Sequence, residues 1–255
     1  MPYDHVDVGY DGGVATLTLN RPPLNLLSIE VLEQVNAALL ELRDHNELKV
    51  LVVRGRGKAF SSGLDLADHT RDKVARLLQV FHRTFETIRL LDVIAVAAVD
   101  GIAYGGGFQL AIGCNLIVAS KSARFRLPEI TAGAFPPLAA VVLPRAGPRR
   151  KAMEWILTGD QIDATELAQY GLVNRVYPDK EFEKGLRDFI GRLTNKSGPV
   201  LQLAKRAQIE SYYSTYEEAL YKVENLYLRE LMALHDVEEG IAAFREKREP
   251  RWKDA

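Results

Sequence analysis

Cysteine is nearly absent: Cys114 is the only one in 255 residues. An intrachain disulfide is therefore excluded, which fits a reducing cytoplasm. Set in an apolar helix-to-strand segment, Cys114 reads as buried packing and not as a nucleophile. Net charge is almost absent too, with 33 basic against 34 acidic residues. Such balance offers no field for nucleic acid or an anionic membrane. No apolar run approaches the roughly 18 residues of a membrane helix. The opening Met-Pro-Tyr-Asp-His has neither a basic stretch nor an apolar core, so it does not read as a signal peptide. The five histidines lack metal-ligand spacing. Neither Gly-x-Gly-x-x-Gly nor a Gly-Lys-Ser/Thr ending occurs, so dinucleotide and phosphate-loop readings fail. No nucleophile-elbow serine stands near the glycine cluster.

At 47% hydrophobic and 26% charged, the chain is an ordinary globular one, long enough for a large core. Residues 3–20 alternate as two strands about Asp11-Gly12-Gly13, a hairpin signal. Ser28 is a suitable N-cap for a helix to about Arg43, with Ile29, Leu32, Val35, Ala38, Leu39 and Leu42 on one stripe. A strand at 50–54, a helix over 71–90, and strands at 93–99, 116–119 and 172–176 follow. Strands alternating with helices predict a buried, mostly parallel sheet. After Lys180 strands disappear, and helical patterns fill 181–194, 199–212 and 216–247. The chain thus divides into a core over 1–180 and an α-helical region over 181–255. The latter is expected to pack on the core or on a neighbouring subunit.

Tyr104-Gly105-Gly106-Gly107-Phe108-Gln109 carries the chemistry. It follows the apolar strand at 93–99 and opens a short helix through Gly113. Glycines there allow positive φ and close backbone approach, and the helix aims free N–H groups at the same spot. Such a turn suits an anion, or a carbonyl oxygen becoming one. Three other segments join it: Lys58-Ala59-Phe60-Ser61-Ser62-Gly63-Leu64-Asp65-Leu66, Arg126-Leu127-Pro128-Glu129-Ile130, and Thr131-Ala132-Gly133-Ala134-Phe135-Pro136-Pro137.

In that order, with Thr158-Gly159-Asp160, Ala168-Gln169-Tyr170-Gly171-Leu172-Val173 and Glu239-Gly240-Ile241-Ala242-Ala243-Phe244, these segments resemble the crotonase superfamily, the enoyl-CoA hydratases and isomerases. The resemblance covers nearly the whole chain. It implies an α/β, ClpP-like fold of stacked ββα units with a C-terminal helical trimerisation or lid region, assembled as a homotrimer or homohexamer. It implies an acyl-CoA substrate, with CoA part of the substrate and no separate cofactor or metal. The thioester oxygen is expected between the N–H groups of Leu64 and Gly106. Carbonyls near Ala59 and Ser61 are candidates for the adenine, and Lys58 and Lys247 for the phosphates. Asp65 and Leu66 complete the candidate binding segment.

Glu129 matches one of the two glutamates of hydratases in this family, whereas the other position is Gln109. Glutamine binds water but exchanges no proton at neutral pH. Glu129 is therefore expected to be the single acid/base, with Gln109 orienting the water or the substrate. One carboxylate suits hydration or a double-bond shift. The Phe135-Pro136-Pro137-Leu138 turn, with Asp68-His69 and the stretch Leu226–Asp236, is similar to the cyclohexa-1,5-diene-1-carbonyl-CoA hydratases, which implies a ring-shaped acyl group. A non-catalytic acyl-CoA-binding or scaffold protein is the alternative of another class.

Overall fold

The fold is seen in a computed structural model, which describes residues 3–212 and 214–255. The expectations that touch Met1 and Pro2 fall outside the described residues. The chain opens with strands β1 (Val6–Asp11) and β2 (Val14–Leu19), paired antiparallel about Gly12-Gly13 at positive φ. These are the conformations a two-residue hairpin turn requires. Helix α1 (Ile29–Glu41) follows, and the Ser28 side chain accepts from the Val31 N–H as its cap. Next come β3 (Val50–Gly55), β4 (Ala59–Ser61), α2 (Val74–Leu90), β5 (Ile94–Val99), β6 (Ile102–Tyr104), α3 (Gly106–Gly113), β7 (Leu116–Ser120) and β8 (Arg124–Arg126). Helices α4 (Pro137–Ala146) and α5 (Arg149–Thr158), strand β9 (Ile162–Asp163), α6 (Ala164–Gln169) and β10 (Arg175–Tyr177) complete this part. Four helices end the chain: α7 (Phe182–Thr194), α8 (Gly198–Ser211), α9 (Tyr216–Arg229) and α10 (His235–Glu246).

The strands form two sheets, ordered β1-β2-β3-β5-β7-β10 and β4-β6-β8-β9. Each long central strand passes to a short strand of the second sheet, so β3 leads to β4, β5 to β6, and β7 to β8. This is the stacked ββα architecture the resemblance implied. The glycine turn therefore follows β6 and not the long strand at 93–99 directly.

The central parallel strands are buried on both faces, which explains their unbroken apolar sequence. Leu51, Val53, Ala95, Ala97 and Val99 face the larger core, with α1 to α3 and Phe60, Phe108 and Phe125. Val50, Val52, Ile94, Val96 and Ala98 face Phe182, Leu186 and Phe189 of α7. The first C-terminal helix is thus one wall of the sheet. Helix α8 is anchored by Lys205, whose Nζ donates to the carbonyls of Ile88, Leu91 and Val93 at 3.0, 2.7 and 2.9 Å. The single pattern expected over 216–247 is two helices, broken by a 3₁₀ turn at Leu231–Ala233. No helix among the described residues is long and apolar enough to cross a membrane.

Candidate active site

The segment after β4 is stitched to Leu27. The Leu27 N–H donates to the Gly63 carbonyl at 2.9 Å, and the Asp65 N–H donates to the Leu27 carbonyl at 3.0 Å. In such a parallel bridge the middle residue points its own N–H the other way. Leu64 is that residue, and among the described residues its N–H has no backbone acceptor.

On the facing side the Gly105 N–H donates to the Arg126 carbonyl at 2.8 Å. Gly105 holds φ at +50° and turns the chain into α3. Gly106 is the first residue of α3, so its N–H has no partner within the helix. A Cβ built on Gly106 would lie 3.1 Å from the Leu64 nitrogen. Since a Cβ sits ~2.5 Å from its own nitrogen, the Leu64 and Gly106 nitrogens are no more than roughly 5.6 Å apart. Two donors about 2.9 Å from one shared oxygen span at most ~5.8 Å. The pair is therefore close enough to hold a single atom.

Glu129 lies on the other flank of the same turn. It sits in a 3₁₀ turn, Pro128–Ala132, which Gly133 closes in the left-handed conformation. Its Oε1 is 3.2 Å from where a Gly105 Cβ would stand. The Gln109 Nε2 donates to this Oε1 at 3.0 Å, while Oε2 is buried with no partner among the described residues. Burial raises the Glu129 pKa above the usual carboxylate value, against smaller lowerings by a bond from its own backbone and then by the hydrogen bond from Gln109.

Gln109 is only 1% exposed, and its carbonyl accepts from the Leu138 and Ala139 N–H groups at 3.1 and 3.3 Å. These are free donors of the first turn of α4. Gln109 thus bonds the protein at both ends of its amide.

The remaining candidates lie along the segment Lys58–Leu66 and at the end of α10. Ala59 and Ser61 are fully buried in β4. The Ala59 carbonyl accepts from Asn25 Nδ2 at 2.8 Å, and the Ser61 carbonyl faces α3, 2.2 Å from a Cβ built on Gly107. Asp65 pairs with Arg21 at 2.7 Å, and Leu66 is largely exposed. Lys58 is exposed, and Lys247 caps α10 in the left-handed conformation. Cys114 is buried as expected, and burial pushes its thiol up to about 12, which keeps it protonated. Arg21 and Asn25 were not singled out in the sequence. Asn25, at φ +51°, bridges the Arg56 and Ala59 carbonyls. Its only sequence signal is that asparagine tolerates this conformation after a proline pair. Among the described residues no group of three or more His, Cys, Asp or Glu side chains could hold a metal.

The family model for enoyl-CoA hydratase/isomerase matches residues 9–255. The chain is similar to a probable enoyl-CoA hydratase of Rhizobium meliloti, 36% identical over 257 residues and covering 99% of each chain. It is 34% identical over 255 residues to the probable enoyl-CoA hydratase echA8 of Mycobacterium tuberculosis, again covering 99% of each. Among solved structures, human enoyl-CoA hydratase domain-containing protein 3 superposes with a TM-score of 0.92 at 32% identity, covering 97% of this chain and all of that one. An enoyl-CoA hydratase from Mycobacterium smegmatis gives 0.93 at 30% identity, covering 97% and 98%.

Proposed function

The chain belongs to the enoyl-CoA hydratase/isomerase family, and we propose that it adds water across the double bond of an α,β-unsaturated acyl-CoA thioester. The thioester oxygen sits between the Leu64 and Gly106 N–H groups, with Glu129 as the acid/base. The Glu129 carboxylate takes a proton from water as the water oxygen bonds to C3. The π electrons move through C2 onto the thioester oxygen, giving an enolate. Glu129 then returns the proton to C2, so one water is added in total. Two preplaced donors stabilise the enolate oxygen as charge builds, and loss of one such donor costs ~3 kcal/mol. The observation that carries this reading is the flanking of one glycine turn by the Leu64 and Gly106 donors and by Oε2 of Glu129, none of which has a partner among the described residues.

This reaction uses no resident cofactor, since CoA arrives with the acyl group. Lys58 and Lys247 are assigned to its phosphates, and Asp65 and Leu66 to the wall of the binding segment. A double-bond shift is the second reading. Gln109 stands where hydratases of this family carry a second glutamate, and one carboxylate suffices to move a proton between C2 and C4. A narrower version of the first reading takes a cyclic dienoyl group, supported by the stiff Pro136-Pro137 entry to α4 and the exposed Phe135 beside it.

The C-terminal helices over 181–255 are assigned to trimerisation or to a lid. A cavity of about 600 Å³ between α8 and α10, and Phe244 at 86% exposed, support that role. A single cysteine, which leaves no intrachain disulfide, is the support for a reducing cytoplasm. Mass spectrometry of crotonyl-CoA, a 3-enoyl-CoA and the cyclic diene thioester tests the reading. A product heavier by one water supports it. Conversion of the 3-enoyl thioester alone, seen as a chromatographically distinct product of unchanged mass, selects the isomerase.

A further inference from the structure

Gln109 is buried, interior to α3, and bonded at both ends of its amide. Its oxygen faces two N–H donors of α4, which can only donate. The amide is therefore fixed in one orientation, with its NH₂ toward Glu129 Oε1. Glu129 in turn has one oxygen engaged and one buried without a partner among the described residues.

We infer that Gln109 is a positioning residue: an amide clamp that ties the start of α4 to Glu129 and leaves Oε2 as the one oxygen through which protons move. The inference rests on the reading of Glu129 as the acid/base and says how that carboxyl is aimed. Two donors polarise the Gln109 carbonyl and so strengthen its NH₂ as a donor, passing the positive end of the α4 dipole to Glu129. A donor on Oε1 favours the ionised carboxylate, so the clamp opposes the effect of burial.

Among the described residues no charged side chain bonds the Glu129 carboxyl. On the elements packed around Glu129, Arg126 donates to the Gly159 carbonyl, Arg145 to Val141, and Lys151 pairs with Glu154 and Glu166. Tyr104 donates to Gln161. Arg124, on β8, donates to the Lys121 and Ala123 carbonyls, and among the described residues Arg149 and Arg150 of α5 do not bond Glu129 either.

The test is a titration of the Glu129 carboxyl by ¹³C NMR in the ligand-free protein, assigned with Glu129→Gln, alongside the pH profile of kcat/KM. Gln109→Glu keeps the shape and the two α4 bonds but sets a second carboxyl against Oε1. The Glu129 titration is expected to rise by about one pH unit or more. Gln109→Met removes the donor without adding charge, and a smaller rise is expected. The acid limb of kcat/KM moves with each titration, while KM changes less than about twofold. A lowered kcat at every pH with an unmoved limb means a structural side chain only, and overturns the inference. So does an unmoved Glu129 titration in Gln109→Glu, which stays informative should Gln109→Met fold poorly. Absence of turnover in the wild type would defeat the proposed reaction instead, and the titration would still decide the clamp.

Discussion

A Cβ at Gly106 would stand 3.1 Å from the nitrogen of Leu64 and 2.9 Å from its Cγ. The methyl group would occupy the space next to the two donors. The Leu64 side chain can swing aside, so Gly106→Ala is expected to fold. It should lower kcat/KM by about 100-fold, the cost of spoiling one donor. Steady-state kinetics with thermal unfolding as control checks this.

One residue further on, the same change has the opposite character. A Cβ at Gly107 would lie 2.2 Å from the Ser61 carbonyl oxygen, a backbone atom. Either β4 or α3 must shift, so Gly107→Ala is expected to cost about 3 kcal/mol of stability. Urea denaturation reads it, and a loss of activity without a loss of stability would contradict it.

The raised Glu129 pKa fixes the sign of the pH dependence. The base form is the ionised one, so kcat/KM should fall as pH drops through a value above the ordinary carboxylate range. Stability runs the other way. A carboxyl whose folded pKa lies above its unfolded one contributes stability that is present at low pH and lost as pH rises through the folded value. Glu129→Gln should remove both dependences.

Lys205 tests how the C-terminal region is held. Met at this position fills a similar volume but leaves the Ile88, Leu91 and Val93 carbonyls without their donor. Lys205→Met is expected to lose about 3 kcal/mol at neutral pH by chemical denaturation. Burial lowers the Lys205 pKa to about 8, below its unfolded value. The unfolded chain therefore holds more protons above pH 8. This group's contribution grows as pH rises toward ~10, and the variant should lack that growth.

The long elements were legible because their periodicity is long. The hairpin at Gly12-Gly13, the Ser28 cap, the apolar runs of β3 and β5 and the short helix to Gly113 all carry local signals. Strands β4, β6 and β8 have three residues each and were missed. No alternation fits in three residues, and these strands exist because they pair with one another. The break between α9 and α10 has neither proline nor glycine to mark it. In the site, the glycine run permits the positive φ that Gly105 adopts, and Pro128 announces the turn that holds Glu129. The bond from Gln109 to Glu129 spans 20 positions. It depends on how α3 meets the turn after β8, so no spacing rule foretells it.

The central claim is that Glu129 alone carries the proton between water and C2 while main-chain donors hold the thioester oxygen. The direct measurement compares wild type with Glu129→Gln in two assays: crotonyl-CoA hydration, and the Kd of saturated butyryl-CoA. The account predicts that hydration falls by about 100-fold or more, with Kd within about twofold. A variant that still hydrates crotonyl-CoA at the wild-type rate would contradict it.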